Sequence, residues 1–355
     1  MDTTARSIIR FMLRTVLVAS PPVLVALLWY ICTDPYKVLR HYDCYLPDPT
    51  ENPARIGMNK GLVTFANFHD RVAQGHSYNA FIFGSSISCY YDAETWQQLA
   101  DSSGRAKAYH FDSSSESLPS MAAKIKYLDE LGQPLDFALV VLDPIIMGSD
   151  ESAGPAFVNP PQLQHTLTER LSYHYTFFRA ATNADFLKSW IPAQISGLPC
   201  NNGRNMIFEP QPIIYDRATN QESIPVWDSI ISADPAAFYC IHPLQPSPVE
   251  ITVATTCLTG RRAEAMRTIA EIFKKHHTDF QVVIGPNRRK TVLNPTDLQL
   301  MQSIFGVERV HDYSFSLATT LEQDTLLYDN THYRPVFADR IMRLVYQRNR
   351  YKSLR

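Results

Sequence analysis

Short apolar runs alternate with amphipathic helical patterns from residue 77 onward, and this alternation decides the fold class. The run FALVVL at 137–142 has six consecutive apolar residues, which is typical of a strand buried on both faces. Ala80–Phe83 and FQVVIG at 280–285 predict strands of the same kind. Weaker strands are predicted at Ala106–Phe111 and Val307–Val310, which gives five strands in all.

Helical patterns fill the intervals between these runs. The predicted helices are AETWQQLA after a capping Asp92, SMAAKIKYLDEL with Pro119 in its first turn, RRAEAMRTIAEIFKKHH, LQLMQSIF capped by Thr296 or Asp297, and VFADRIMRLVYQRN after Pro335. Alternating strands and helices predict an α/β fold, a flavodoxin-like three-layer sandwich with a parallel five-stranded sheet. Ligands of such sheets bind beyond the carboxyl ends of the strands, so the residues that follow each strand are candidates for a site.

A long segment, residues 145–258, separates the third predicted strand from the fourth. It is rich in proline and aromatic residues, as in LSYHYTFFRA and EPQPIIYD. A connection of this length is usually functional or has structure of its own. Three interpretations stay open: a lid or substrate wall, a docking surface for a partner, or an architectural extension.

The N-terminal region has a different composition. Residues 11–31 read FMLRTVLVASPPVLVALLWYI, with Arg14 as the single charge, and a membrane-spanning helix needs about 20 apolar residues. Arg6 and Arg10 precede the segment and Asp34 follows it. The positive-inside rule therefore predicts a single-pass anchor in the cytoplasmic membrane with the N-terminus inside. A cleaved signal peptide and a buried helix are the alternatives.

This orientation predicts the organisation of the whole chain. Residues 1–10 form a cytoplasmic tail, 11–32 the transmembrane anchor, 33–76 a stalk, and 77–355 a domain on the extracytoplasmic (periplasmic) side, with the insertion 145–258 inside it. The formal net charge of -2 gives no overall basic field, so we do not predict nucleic acid as a partner.

Six cysteines bear on redox chemistry and metal binding: Cys32, Cys44, Cys89, Cys200, Cys240 and Cys257. An oxidising compartment would allow disulfides among them, and free thiols are the alternative. No pair has CxxC spacing, so we predict no zinc site, and no other metal or cofactor is indicated.

The turn Gly84-Ser85-Ser86 follows the first predicted strand and precedes a helical pattern. Glycine permits a tight turn there and clears space for a substrate. Ser86 is therefore a candidate nucleophile, and a turn capped by serines is the alternative interpretation.

Asp329 and His332 lie three residues apart in YDNTHYRP, just before the last predicted helix. A tight turn with that spacing can put both side chains on one side of the backbone. The carboxylate would then hold one imidazole nitrogen and leave the other free as a base. A capping aspartate with a structural histidine is the alternative. Because both segments belong to the carboxyl edge of the predicted sheet, we expect Ser86 and His332 to meet.

The serine after the first strand and the late Asp-x-x-His together resemble the SGNH/GDSL hydrolase superfamily, over residues 77–142 and 259–350. The Gly-Ser-Ser turn and the N-terminal anchor are most similar to membrane-anchored proteins of the DltD and AlgX/AlgJ type. Those proteins work beside membrane-bound O-acyltransferases on cell-envelope polymers. The resemblance implies Ser86 as nucleophile, His332 as base and Asp329 as the residue that orients it, with Ser85 in the place of the usual aspartate.

The chain departs from this family where the oxyanion hole is expected. DSSSES stands where the family has a glycine, so the backbone N–H of Ser114 or Ser115 is the candidate donor. Asp143 stands where the family has an asparagine, and an ionised carboxylate cannot donate. Asn287, after the fourth strand, is a candidate substitute, and Tyr333 is a candidate for the pocket wall.

The resemblance implies a membrane-anchored serine esterase or O-acyltransferase that acts, through an acyl-enzyme, on acyl (acetyl) esters of a cell-envelope polysaccharide. Water and a sugar hydroxyl stay open as acceptors, because both use the same intermediate. Because these donors are missing, a second hypothesis stays open: the chain is a catalytically weak assembly or binding partner of a membrane-bound O-acyltransferase. We interpret the basic run at 288–290 as a solvated loop, with contact to an anionic polymer as the alternative.

Overall fold

A computed structural model describes residues 3–42, 59–149, 154–196, 213–317, 320 and 324–353. The chain divides into two compact units. The anchor unit comprises residues 1–58 and 166–210, and the sheet unit comprises 59–165 and 211–355. The predicted insertion is therefore shared: its middle part, 166–210, belongs to the anchor unit, and its two ends, 145–165 and 211–258, belong to the sheet unit.

The sheet unit contains a five-stranded parallel sheet, as the sequence predicts. The strands of the chain are β1 (Ala80–Gly84), β2 (Ala108–His110), β3 (Phe137–Leu142), β4 (Ile214–Asp216), β5 (Gln221–Ser223), β6 (Thr252–Val253), β7 (Asp279–Ile284), β8 (Thr291–Val292) and β9 (Val310–Asp312). The main sheet has the order β2-β1-β3-β7-β9, which is the flavodoxin-like order. β4 pairs with β5 in an antiparallel hairpin, and β6 pairs with β8 in parallel.

The last strand of the sheet begins at Val310 rather than at the predicted Val307. Gly306 ends the preceding helix with a φ of 96°, and the next three residues form a turn before the strand begins. Within that turn the Arg309 guanidinium reaches the Asp279 carboxylate at 3.1 Å. Val307 therefore lies outside the sheet, and its apolar side chain is exposed.

Helices precede, follow and connect the strands. They are α1 (Thr3–Thr33), α2 (Lys60–Ala73), α3 (Ala93–Ala100), α4 (Leu118–Glu130), α5 (Leu167–Ala181), α6 (Ala184–Ser196), α7 (Pro225–Ala233), α8 (Pro235–Ile241), α9 (Gly260–Lys275), α10 (Pro295–Phe305) and α11 (Pro335–Ser353). The predicted cap of α3 is confirmed, because the Asp92 carboxylate accepts from the Thr95 N–H at 2.7 Å.

The cap predicted for α10 is wrong. Asn294 is the capping residue, and its side chain accepts from the Thr296 N–H at 2.9 Å. Asp297 lies inside the helix, and its carboxylate accepts from the N–H groups of Cys257 and Leu258. A carboxylate near a helix start thus binds a distant segment of chain, which local sequence does not reveal.

Alternate residues of β3 belong to two separate apolar clusters. Ala138, Val140 and Leu142 pack in a cluster that includes residues of α4 and α9. Phe137, Leu139 and Val141 pack in a cluster that includes residues of α3 and α11. The alternation follows from the period of two in a strand, and it explains why all six residues of β3 are apolar.

Helix α2 was not expected from the sequence, which predicts a stalk over 33–76. Its Phe65 and Phe68 are fully buried in the same cluster as α4 and α9. The side chain of Asn59 caps the helix by accepting from the Leu62 N–H. Residues 60–73 of the predicted stalk are therefore part of the sheet unit.

The anchor unit holds α1, α5 and α6. Residues Ser7–Thr33 of α1 are long and apolar enough to cross a membrane, with a mean hydropathy of 2.0. The helix continues through Pro21 and Pro22. At its end, the Arg40 guanidinium donates to the carbonyls of Ile31 and Cys32.

The cysteines that the structure describes are free thiols: Cys32, Cys89, Cys240 and Cys257. Cys44 and Cys200 lie outside the described residues. Within the described ranges no group of three or more His, Cys, Asp and Glu side chains is arranged to hold a metal ion.

Candidate active site

Ser86 lies just after strand β1, at the carboxyl edge of the sheet. The strand ends at Gly84, Ser85 is extended, and a 3-10 helix runs from Ser86 to Tyr90. The Ser88 hydroxyl fixes this turn by donating to the Ser85 carbonyl at 2.7 Å. The turn thus leaves Ser85 buried and Ser86 partly exposed.

Gly84 is required by close approach rather than by its backbone angle. A Cβ at this position would lie 2.7 Å from Cβ of Ser88 and 2.8 Å from the Val141 carbonyl oxygen. Both distances are far inside van der Waals contact. The absent side chain therefore lets the 3-10 helix start directly at the end of β1.

Asp329 and His332 share a tight turn before α11. One carboxylate oxygen, Oδ1 of Asp329, accepts from the N–H groups of Thr331 at 2.7 Å and His332 at 2.8 Å. The turn is closed by an antiparallel bridge between Leu327 and Tyr333. The backbone therefore fixes the Asp-x-x-His spacing in a single local geometry.

The three side chains form a continuous chain of hydrogen bonds. His332 Nδ1 lies 2.8 Å from Oδ2 and 3.1 Å from Oδ1 of Asp329. His332 Nε2 lies 2.8 Å from Ser86 Oγ. Because the carboxylate only accepts, the geometry assigns the ring proton to Nδ1 and leaves Nε2 to accept from the serine hydroxyl. Ser86 and His332 therefore meet as the sequence predicts.

The site is open to solvent on one side. The His332 side chain is 24% exposed and the Asp329 side chain 50%. Burial raises the pKa of Asp329, but the hydrogen bonds and charge of His332 and the N–H groups of the turn outweigh it, so the pKa lies below its ordinary value. Asp329 is therefore a carboxylate at neutral pH and can stabilise an imidazolium.

The loop after β2 continues beside the end of β1. The register pairs Ile82 with His110, and the Ser113 N–H donates to the Gly84 carbonyl at 3.3 Å. Ser114 is partly exposed in the loop after β2, and Ser115 follows it with a φ of 50°. Their backbone N–H groups stay candidates for donors.

Asp143 is an acceptor in this structure. Its Oδ1 accepts from the N–H groups of Ile145 at 2.7 Å and Ile146 at 3.1 Å. Burial raises the pKa of Asp143 to about 6, against the lowering effect of those two hydrogen bonds and of Arg289. The side chain is therefore ionised above that pH and gives no donor to an oxyanion there.

Asn287 and Tyr333 are committed to other contacts. The Asn287 amide donates to the Thr291 carbonyl at 2.7 Å, and its oxygen accepts from the Thr291 N–H. The Tyr333 hydroxyl is paired with that of Tyr91 at 2.9 Å, and the ring is buried. Asn287 therefore shapes the loop after β7, and Tyr333 belongs to the apolar cluster that includes residues of α3 and α11.

The 3-10 helix itself offers two donors that the sequence analysis did not consider. Its first N–H groups, those of Ser86 and Ile87, have no acceptor within a helix that begins at Ser86. No described residue accepts a hydrogen bond from either. The backbone amides of Ser86 and Ile87 are therefore free to donate to a ligand.

Sequence reasoning missed the residues that hold the catalytic turn in place. Arg334 Nε lies 2.7 Å from Oδ1 of Asp228 in α7, and its other nitrogens donate to the Thr325 carbonyl and to Ser232. The Tyr328 hydroxyl donates to the other oxygen of Asp228. The two sides of this link are about a hundred residues apart in the chain, so no local pattern reveals it.

The segment after α7 makes further contacts with the same turn. The Tyr239 hydroxyl donates to the Leu327 carbonyl at 2.6 Å, and the Gln245 N–H donates to the Asn330 side chain at 2.8 Å. Tyr90 of the 3-10 helix packs edge-on against both Tyr328 and His332. The second half of the predicted insertion therefore supports the histidine rather than forming a separate body.

A buried ionic cluster underlies the 3-10 helix. Lys60 Nζ lies 2.9 Å from Glu222 and 3.8 Å from Asp112, and the Cys89 thiol donates to Asp112 at 3.0 Å. Burial, together with the charges of Asp112 and Glu222, raises the pKa of Cys89 well above its ordinary value. Cys89 therefore stays protonated and serves as a structural donor, not a second nucleophile.

The basic run at 288–290 is not a solvated loop. Arg288 and Lys290 are buried, and only Arg289 is exposed. Arg288 Nε donates to the Gln245 carbonyl at 3.0 Å, which ties this loop to the segment that supports Asn330. The run therefore has a structural role at two of its three positions.

Comparisons with known proteins supply no assignment. A scan against protein-family models finds no family that matches the chain. A search of curated proteins finds no match either. The interpretation of the site therefore depends on its geometry.

Proposed function

We propose that this chain is a membrane-anchored serine esterase or O-acyltransferase. The observation that carries the proposal is the hydrogen-bond chain from Ser86 Oγ through His332 to Asp329, with both contacts of the imidazole at 2.8 Å. A nucleophile, a base and a carboxylate that orients the base are the parts that acyl transfer by a serine requires. The resemblance to the SGNH/GDSL superfamily supports the same chemistry.

The geometry supports a two-step reaction. Ser86 Oγ attacks the acyl carbonyl carbon while its proton passes to Nε2 of His332. The oxyanion then collapses, the sugar oxygen leaves with that proton, and an ester remains on Ser86. Water or a sugar hydroxyl next gives its proton to His332 and attacks the ester, which transfers the acyl group and restores the Ser86 hydroxyl. Asp329 stabilises the imidazolium in both steps.

The N–H groups of Ser86 and Ile87 are the proposed oxyanion donors, with the loop at Ser114 and Ser115 as a third source. A single oxyanion donor contributes roughly 10²–10³ in rate. With Asp143 ionised and Asn287 engaged elsewhere, we expect a slower enzyme at neutral pH than one with an additional side-chain donor.

The finer features of the fold belong to this proposal. We take the sheet unit to be a flavodoxin-like three-layer sandwich with an insertion at 145–258, which the division of β3 between two apolar clusters supports. We take α1 to cross the cytoplasmic membrane with residues 1–10 inside and the domain outside. The arginines at the start of α1 support this orientation.

The proposed substrate is an acyl ester, of which acetyl is the smallest, on a cell-envelope polysaccharide. The extracytoplasmic location and the resemblance to DltD- and AlgX/AlgJ-type proteins support this class. A partly exposed catalytic serine also suits a polymer, because a chain too large for an enclosed cavity can still reach an open edge.

The test is turnover by the purified full chain in detergent. Acetylated glycans would be offered with and without an unacetylated acceptor oligosaccharide, and released acetate and transferred acetyl groups would be measured. We expect turnover that is lost in Ser86→Ala and His332→Ala and kept in the surface controls Ser102→Ala and His76→Ala. Turnover that survives Ser86→Ala would contradict the proposal.

A second function is favoured by one observation: Asp143, where the family has an asparagine donor, is an acceptor, and the candidate substitute Asn287 is engaged elsewhere. On this hypothesis the chain is an assembly or binding partner of a membrane-bound O-acyltransferase, with little chemistry of its own. Complementation separates the two functions, because polymer acylation in cells would then persist with Ser86→Ala and be lost only when the chain is removed.

A further inference from the structure

Helix α5 of the anchor unit exposes a stripe of large apolar side chains. Leu167, Leu171 and Tyr175 follow one another at four-residue spacing and are 74%, 61% and 60% exposed. At 100° per residue they lie within one third of the helix circumference. Ser172 and Thr176 lie on the other side. An exposed apolar stripe of this kind indicates a surface that is covered by something else.

The stripe continues onto the membrane-spanning candidate α1. Phe178 lies on the same side of α5 as Leu171 and Tyr175, and its ring packs edge-on against Tyr30 of α1 at 5.6 Å. Tyr30 is buried, although most of the described side chains of α1 are exposed. The apolar side of α5 and the apolar surface of α1 therefore meet near the C-terminal end of α1.

Helix α6 repeats the arrangement. Ile191 and Ile195 are exposed on it, Ile195 by 83%. Trp190, which precedes Ile191, packs edge-on against Trp29 of α1 at 5.3 Å. Tryptophan and tyrosine prefer the boundary between acyl chains and headgroups, so Trp29 and Trp190 mark one level.

We infer that α5 and α6 lie in the lipid interface beside the outer end of α1, with their exposed apolar residues among the acyl chains. The occupant is lipid because the same medium must cover the exposed apolar surface of α1, with which the stripe is continuous. Arg179 and Lys188, both exposed on these helices, would reach the headgroups, where cations are favoured.

The inference extends the function of the predicted insertion. The part that contains α5 and α6 would be a membrane-seating element, so this part is neither a lid nor a substrate wall. The inference rests on the proposed membrane span of α1 and does not depend on the chemistry of Ser86.

The test is site-specific photocrosslinking in the full chain. Benzoylphenylalanine would replace Leu171 or Ile191 as probes, Ser172 as the matched control on the polar side of α5, and Val25 as the control for the span. The protein would be reconstituted in vesicles of phosphatidylcholine and phosphatidylglycerol, irradiated, and analysed by intact mass for lipid adducts.

We expect lipid adducts from probes at Leu171, Ile191 and Val25, and no lipid adduct from the probe at Ser172. Adducts at Val25 without adducts at Leu171 and Ile191 would overturn the inference while the span of α1 stands. Crosslinks from Leu171 to a second copy of the chain would overturn it in favour of self-association. Absence of an adduct at Val25 would contradict the span and the inference together, whereas turnover by Ser86 is tested separately.

Discussion

At the scale of single residues, Asp329 does two things with one carboxylate. It closes its own turn by accepting two backbone N–H groups, and it holds Nδ1 of His332. The first role fixes where the histidine stands and the second fixes its tautomer. The second role depends on the carboxylate being ionised, which its lowered pKa ensures at neutral pH.

Asp329→Asn should separate these roles. The amide oxygen can still accept the turn N–H groups, but the amide NH₂ placed against Nδ1 favours the tautomer that leaves Nε2 protonated. We expect the acylation rate of Ser86 to fall roughly 10²–10⁴-fold at pH 7, the range of a lost general base. The measurement is single-turnover acylation followed by intact mass. Asp339→Asn, an exposed aspartate on α11, is the matched control, and an unchanged rate in Asp329→Asn would remove the carboxylate from the mechanism.

The raised pKa of Asp143 predicts that the stability of the folded chain depends on pH. Its pKa is raised to about 6 in the folded chain against an ordinary value of 3.8, so the folded state binds more protons between those values. The unfolding free energy contributed by this group therefore falls as pH rises from about 4 to 6 and stays lower above it. One pKa unit corresponds to about 1.4 kcal/mol.

Asp143→Asn removes this charge and keeps the oxygen that accepts from Ile145 and Ile146. We expect the variant to be more stable than the parent by about 1–3 kcal/mol at pH 8, with the gain vanishing near pH 4. Thermal or denaturant unfolding at the two pH values measures the difference. A gain in stability that grows toward acid pH would contradict the expected direction of this pH dependence.

At the scale of elements, α7 is the support of the catalytic turn. The Asp228–Arg334 pair and the Tyr328 hydroxyl join a helix of the insertion to the segment that carries His332. Asp228→Ala leaves a mostly buried guanidinium without its partner, for which we expect a loss of about 1–3 kcal/mol in unfolding free energy. Acylation should slow about tenfold, since a small displacement of the base is enough for that.

The control for this variant is Asp339→Ala, which breaks an exposed pair with Arg343 at 2.8 Å on α11. Such a pair is worth at most about 1 kcal/mol, and no loss of acylation is expected. Asp228→Asn should recover part of the rate by keeping an acceptor for Arg334. If Asp228→Ala loses stability but acylates at the parent rate, α7 supports the fold and not the base.

The elements that the sequence predicts well are those with a strong local signal. Six apolar residues in FALVVL leave no alternative to a buried strand, and Asp92 precedes its helix in an ordinary capping pattern. The elements it misses depend on distant partners. Helix α2 is helical because Phe65 and Phe68 find a core formed by α4 and α9, and α7 has its place because Asp228 meets Arg334.

The residues of the site likewise divide into those with a local sequence signal and those without one. Ser86, Asp329 and His332 were predictable because each lies beside a recognisable strand end or helix start. The proposed oxyanion donors were not, because the N–H groups of Ser86 and Ile87 come from a 3-10 helix where the sequence shows only a polar turn. The hydrogen bond of Arg288 to the Gln245 carbonyl likewise depends on a segment more than forty residues away.

At the scale of the whole molecule, the proposed orientation is open to a direct test. A C-terminal fusion to alkaline phosphatase should be active in cells, and a fusion to green fluorescent protein exported by the same route should be dark, because the domain lies outside. Exchanging Arg6, Arg10 and Arg14 for glutamate should weaken this bias. Fluorescence with inactive phosphatase in the unaltered chain would reverse the orientation and exclude an envelope substrate.

The division of the insertion is the feature of the whole chain that sequence could not supply. Residues 166–196 belong with α1, whereas 213–258 belong with the sheet. The first stretch has a single proline, Pro192, and the second has five, but neither composition tells which unit a stretch packs with. The assignment follows instead from specific ring contacts such as Tyr36 with Phe186 and from the ionic contact of Asp228 with Arg334.

The central claim is that Ser86 is an activated nucleophile, and fluorophosphonate labelling of the full chain with peptide mapping tests it most directly. We expect a single adduct, on Ser86. Labelling should be absent in Ser86→Ala, strongly slowed in His332→Ala, and unchanged in Ser102→Ala. A folded protein that is not labelled, or one labelled at another residue at the same rate in His332→Ala, would contradict the claim.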